Sequence, residues 1–153
     1  MDAIRIARAL TKRDGVMKIF GSYHGHHDYV MVDIGLNVYD IGDRENYPSI
    51  PYGKGIPDVV TQMTVAVPFN DAPALERRLE RLQAERKLPA CLIMEAALMN
   101  CGVILPEPGY LAEVRRITRN EQRPQQLSDM TRTQLGHGRI LFAIPVVADY
   151  PRP

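Results

Sequence analysis

Residues 63–95 read MTVAVPFNDAPALERRLERLQAERKLPACLIME, and their apolar period changes twice. Met63–Pro68 is β-branched and apolar, as a short strand is. Asn70-Asp71 can cap a helix that starts near Pro73, a favourable first-turn residue. Leu75, Leu79 and Leu82 then recur at helical spacing among charged neighbours. Ala90–Met94 is apolar throughout, the pattern of a strand buried on both faces, and it ends at Glu95. Strand, helix, strand predicts parallel α/β structure with right-handed crossovers. Such sheets bind ligands at the carboxyl ends of their strands.

Upstream, Asp2–Leu10 predicts a helix. Ile4, Ala7 and Leu10, with Ala3 and Ile6, form its apolar stripe, and Arg5 and Arg8 lie off it. Asp14-Gly15 stops it. Val16–Phe20 reads as a strand, closed by Gly21-Ser22 and followed by the polar turn Tyr23-His24-Gly25-His26-His27-Asp28. Gly35 to Pro57 carries four glycines and three prolines and no apolar period, which predicts a long loop of functional or mobile character. Downstream, a loop through Asn100 and Gly102 leads to Pro106–Gly109. A helix follows from Tyr110 to about Asn120, with Leu111, Val114 and Ile117 inward. Arg123–Ser128 is polar and broken by proline, and Ile140–Val147 is strand-like despite Pro145.

The chain is 45% hydrophobic and 24% charged, which supplies an ordinary globular core. Its 19 Lys and Arg are balanced by 18 Asp and Glu, against the basic face that nucleic-acid binding needs. Cys91 and Cys101 lie in or beside apolar runs and are expected as free thiols in a reducing compartment. No leader pattern or membrane-length apolar run is present, so the expectation is a cytoplasmic protein without membrane contact.

Two polar sites follow strands. In the first, His24, His26, His27 and Asp28 offer metal-ligand chemistry, yet adjacent side chains of an extended segment point apart. A solvated polar turn is the second reading of these residues. The third is an aromatic platform, Tyr23 or His24 stacking on a flat heteroaromatic ring while Gly25 lets the backbone approach. In the second site Glu95 ends an apolar strand, where a carboxylate is costly without a partner. It is otherwise a strand-end charge reaching solvent. Asn100, five residues on, can donate to a phenolate-type oxygen, although asparagine is common in loops.

The turn Gly21-Ser22-Tyr23-His24-Gly25-His26 resembles that of the class-III aminotransferases. Val65–Asp71 with the helix after it resembles the same family, as does Leu92–Glu95 through Asn100, Gly102, Pro106 and Pro108–Leu111. The resemblance runs from about Ala3 to Glu121 and is strongest to the glutamate-1-semialdehyde aminomutase branch. It implies an α/β fold, a partial fold-type-I large domain whose mostly parallel sheet is flanked by helices. It also implies pyridoxal 5'-phosphate (PLP) as cofactor, a small amino- or oxo-acid substrate, and homodimeric intact relatives. By position, Tyr23, His24 and Gly25 match the ring-stacking turn, and Glu95 the glutamate near the ring-binding aspartate. Asn100 matches the loop asparagine near the 3-hydroxyl, and Asp129 lies near the position expected for the aspartate. Such enzymes use the aspartate to keep the pyridine nitrogen protonated and a lysine to form the resting Schiff base.

The chain departs from that pattern. The phosphate-cradling stretch should precede Met1. The apolar strand before the aspartate is replaced by Arg123–Asp129. Lys12, Lys18, Lys54 and Lys87 all precede the aspartate region, so no residue matches the Schiff-base lysine. The expectation is a large-domain fragment over 1–122 with a divergent or frame-shifted tail over 123–153, inactive alone. The alternatives are a non-catalytic decayed product or module that pairs with a full-length subunit, and a small protein binding metal through His24, His26, His27 and Asp28.

Overall fold

The computed structural model describes residues 1–35 and 48–119, together with the backbone of 132–135 and 139–145. Helix α1 spans Asp2–Thr11, strand β1 Val16–Ile19, the short helix α2 Asp58–Thr61 and strand β2 Thr64–Val67. Helix α3 is Ala72–Ala84, strand β3 Cys91–Glu95, helix α4 Tyr110–Thr118, strand β4 Arg132–Leu135 and strand β5 Arg139–Pro145. They build one sheet of order β2-β1-β3-β5-β4. Its β2-β1-β3 part is parallel, with Val16 level with both Thr64 and Cys91. A hairpin of β4 and β5 joins on the far side of β3, and β5 runs antiparallel to it.

Alternation along the strands sorts the side chains into two layers. Met17 and Ile19 of β1, Val67 of β2 and Leu92 and Met94 of β3 pack with Leu75, Leu79 and Leu82 of α3 and Tyr110 and Val114 of α4. Val16, Cys91 and Ile93 face the other way, onto Ile4 and Ala7 of α1 and Val30. Desolvation in this second layer pushes the Cys91 thiol up to about 12. The expected strands and helices are all present, and α3 starts as its sequence predicts, with the Asp71 carboxylate accepting from the Ala74 amide at 2.9 Å.

Several inward assignments change. Ile6 and Leu10 are 45% and 41% exposed, so α1 buries a narrower stripe than its apolar residues suggest. Leu111 is exposed; the inward face of α4 is Tyr110, Val114 and Thr118, with Ile117 partly covered. Asn70 does not share the cap. Its amide nitrogen donates to the Leu105 carbonyl and its oxygen accepts from the Glu107 amide, both at 3.0 Å, tying the 105–107 loop beside β2. Within the expected long loop, Pro51 pairs with Val32 in an antiparallel bridge; after the loop, α2 adds a helical turn before β2. Among the described residues no helix is long and apolar enough to cross a membrane.

Candidate functional site

The carboxyl ends of the neighbouring parallel strands β1 and β3 flank the crevice where a parallel sheet accommodates ligands. The chain after β3 crosses back over the end of β1, and its 105–107 stretch reaches Asn70 after β2. Gly21–Asp28 emerges on one side of it and Glu95–Cys101 on the other.

Gly21 joins the two. Its amide donates to the Asp33 carbonyl at 2.9 Å, while its own carbonyl accepts from Asn100 Nδ2 at 3.0 Å and lies 3.4 Å from Cys101 Sγ. The backbone here has φ 72°, and a Cβ would lie 2.4 Å from Cys101 Sγ. Glycine is required on both counts. Glu95, only 3% exposed, fastens the turn: Oε1 accepts from the Tyr23 amide at 3.2 Å and Oε2 from the Met99 amide at 2.9 Å. Both oxygens hold backbone, one on each side of the crevice. The strand-end carboxylate is thus buried and partnered rather than reaching solvent.

Tyr23 is half-buried, with its ring edge-on to His26 at 5.7 Å between centroids and its hydroxyl 3.1 Å from His26 Nε2. Gly25 adopts φ 97°, and a Cβ there would meet nothing within 4 Å, so the turn presents open backbone. His24 turns inward. Neither of its ring nitrogens has a hydrogen-bond partner, and burial, with the Lys18 ammonium and His27 nearby, lowers its pKa to about 3. His27 is also lowered, chiefly by burial. Tyr23, Glu95 and Asn100 are therefore brought together through the Tyr23 amide and the Gly21 carbonyl, with Gly25 two residues further along the turn. Asp129 lies outside the described residues. Among the described residues no three His, Cys, Asp or Glu side chains gather into a metal-holding group.

The sequence reading passed over two residues beneath the turn. Lys18, fully buried in β1, donates through Nζ to the carbonyls of Val32 at 2.6 Å, Ser22 at 2.9 Å and Val30 at 3.3 Å. Desolvation lowers its pKa to about 8, against the opposing pull of Asp33, Glu95 and Cys101. Asp33, at φ 55°, is 1% exposed. Its Oδ1 accepts from the Ile50 amide at 2.8 Å, while burial raises its pKa to about 6. The available signal was a cation within an otherwise apolar strand, the same anomaly that Glu95 shows.

The amino ends of the strands are a different place. A groove of about 420 Å³ lies there, lined by Lys12, Arg13, Arg86 and Lys87 over Val65 and Leu82.

Comparison with known proteins shows the family and the fold. The family model for class-III aminotransferases matches residues 1–124. The chain is 44% identical over 120 residues to a glutamate-1-semialdehyde 2,1-aminomutase of Methanocella arvoryzae, covering 78% of this chain and 26% of that one. An omega-transaminase from Sphaerobacter thermophilus superposes with a TM-score of 0.68 at 33% identity, over 78% of this chain and 26% of its own. A glutamate-1-semialdehyde aminomutase from Pseudomonas aeruginosa PAO1, also solved as a variant in complex with PMP, gives 0.60 at 28% identity, over 77% and 23%. The α/β fold is thus a part of the fold of these enzymes, and the chain spans about a quarter of the length of the relatives it matches. By its sequence over residues 1–124 and by its fold, the chain belongs to the class-III aminotransferase family.

Proposed function

We propose that this chain forms one wall of the PLP ring site of a class-III aminotransferase or aminomutase, and that it does not turn over substrate by itself. The observation that carries the reading is the pairing of the two loops at the β1–β3 crevice, Tyr23 amide to Glu95 and Asn100 to the Gly21 carbonyl. The residues fit a flat ring. Gly25 leaves the backbone open, Tyr23 offers a half-exposed aromatic face beside it, and Asn100 is exposed at the edge.

PLP, when bound, supplies an electron sink for moving amino groups. This chain's residues would orient it. Tyr23 and Gly25 cover a ring face, His26 braces the Tyr23 ring edge-on, and Glu95 holds both loops in place. Asn100 sits where its amide can reach a ring substituent. Asp129 is assigned the pyridine nitrogen by its position in the sequence alone. The ammonium nearest this wall, Lys18, has its donors spent on three backbone carbonyls. The substrate class is a small amino or oxo acid, with glutamate-1-semialdehyde favoured by the similarity to aminomutases. Partnership with a second, related subunit follows from the family's assembly, and the cytoplasm is the proposed location.

The test is to add PLP and an amino donor to the purified chain and follow keto-acid release. No turnover is expected. Sustained turnover would overturn the assignment of an inactive portion.

A further inference from the structure

The segment from Ser22 to Val32 leaves β1, carries Tyr23, His24 and Gly25, and returns to the same strand's flank. Its three inward carbonyls, from Ser22, Val30 and Val32, converge on one atom, Lys18 Nζ. An ammonium has three donors, and all three are used. Asp33 closes the base of the loop, its carbonyl accepting from the Gly21 amide. Asp33 also pairs its amide with the Ile50 carbonyl and its carboxylate with the Ile50 amide, each at 2.8 Å. Lys18 is level with Ile93 of β3, and Glu95 lies two residues further along that strand on the same face. The ammonium therefore sits directly beneath the turn.

We infer that Lys18 is the positioning residue of the ring-stacking turn, closing the 22–32 loop around its ammonium and setting where Tyr23 and Gly25 stand. This rests on the function proposed above only in what the turn is for. The loop geometry is independent of it. A buried lysine near a cofactor mouth invites a different reading, as the amine that reacts with the cofactor aldehyde. The geometry opposes that reading, because Lys18 is 0% exposed and fully engaged, whereas Lys12, Lys54 and Lys87 are exposed.

Two measurements on the whole chain test the inference. In the first, the native protein is treated with PLP and borohydride, and the modified lysines are mapped by mass spectrometry. Lys12, Lys54 and Lys87 should be labelled and Lys18 at least tenfold more slowly. Labelling of Lys18 at the rate of the others would overturn the inference. In the second, amide hydrogen exchange is compared for K18M, K18R and a control, V114A, which loosens the core on the opposite face of the sheet.

K18M should raise exchange across 22–32 at least tenfold more than across β2 and α3, with partial recovery in K18R. V114A should raise exchange without that selectivity. An even loss of protection in K18M, matching V114A, would overturn the inference. If K18M does not fold, K18R and the labelling of the native protein decide in the same way. If K18M shows the selective pattern while the native chain gives no saturable change in the PLP absorbance band, the proposed function is refuted and the role of Lys18 stands.

Discussion

Replacing Glu95 with glutamine tests the fastening of the two loops with almost no change in volume. The carboxylate accepts one backbone amide on each oxygen, from Tyr23 and from Met99. Glutamine keeps one acceptor and turns the other position into an NH2 group facing an N–H donor. One charge-assisted hydrogen bond is lost and the survivor becomes neutral. Hydrogen bonds to a charged group are each worth about 1.5–3 kcal/mol, and a neutral one about 1 kcal/mol. The expected loss is therefore about 3 kcal/mol, a large share of the 5–15 kcal/mol or so that a typical domain has. With a urea m-value of about 1–3 kcal/mol/M, the midpoint should fall by about 1–3 M at unchanged m. Circular dichroism during urea unfolding reads this directly. A change under about 0.5 kcal/mol, the range of an ordinary surface substitution, would refute the fastening role.

Gly21→Ala should cost about 2–4 kcal/mol, combining a left-handed backbone with overpacking against Cys101. Adding Cys101→Ala should recover the packing part, which a double-mutant cycle measures. Asp71→Ala removes the α3 cap and should lower stability by about 1 kcal/mol in the same assay. His24 stays neutral in the fold down to about pH 3, whereas the unfolded chain takes up its proton near 6.5, so stability falls as pH drops through 6.5. Asp33 acts oppositely: its carboxyl binds a proton at about pH 6 in the fold against 3.8 unfolded, so its contribution to stability grows as pH falls from 6 toward 3.8. Urea midpoints between pH 4 and 7 should therefore fall less steeply for His24→Asn and more steeply for Asp33→Asn than for the native chain. Parallel profiles would contradict both assignments.

The parallel part of the sheet was legible because β1, β2 and β3 are short apolar runs and α3 keeps a strict leucine period between two of them, whereas β4, with the polar sequence RTQL, carries no such mark. Glu95 was legible for a related reason, since a carboxylate closing a buried strand must find a partner. Lys18 carries the same anomaly, but its partners are backbone carbonyls 4, 12 and 14 residues away, and carbonyls leave no mark in a sequence. The pairing of Asp33 with Ile50 was hidden likewise, inside a stretch without apolar period. The helical turn α2 and the 3-10 turn at Asp28–Val30 are too short for any period to show. Ile6, Leu10 and Leu111 misled in the other direction, because apolar residues at helical spacing also reach solvent. Asn70 read as a cap and instead holds a loop 35 residues away. The assignment of Tyr23, Asn100 and Asp129 to a cofactor came from resemblance to a family, and no feature of composition or spacing replaces it.

The most direct test of the ring-wall assignment is amide NMR of the isotope-labelled chain during a PLP titration, which detects even weak binding. Shifts should appear at Tyr23, His24, Gly25, Met99 and Asn100 and saturate together. Shifts confined to the basic groove at the opposite end, around Lys12 and Arg86, or no saturable shift at the β1–β3 mouth, would contradict the assignment.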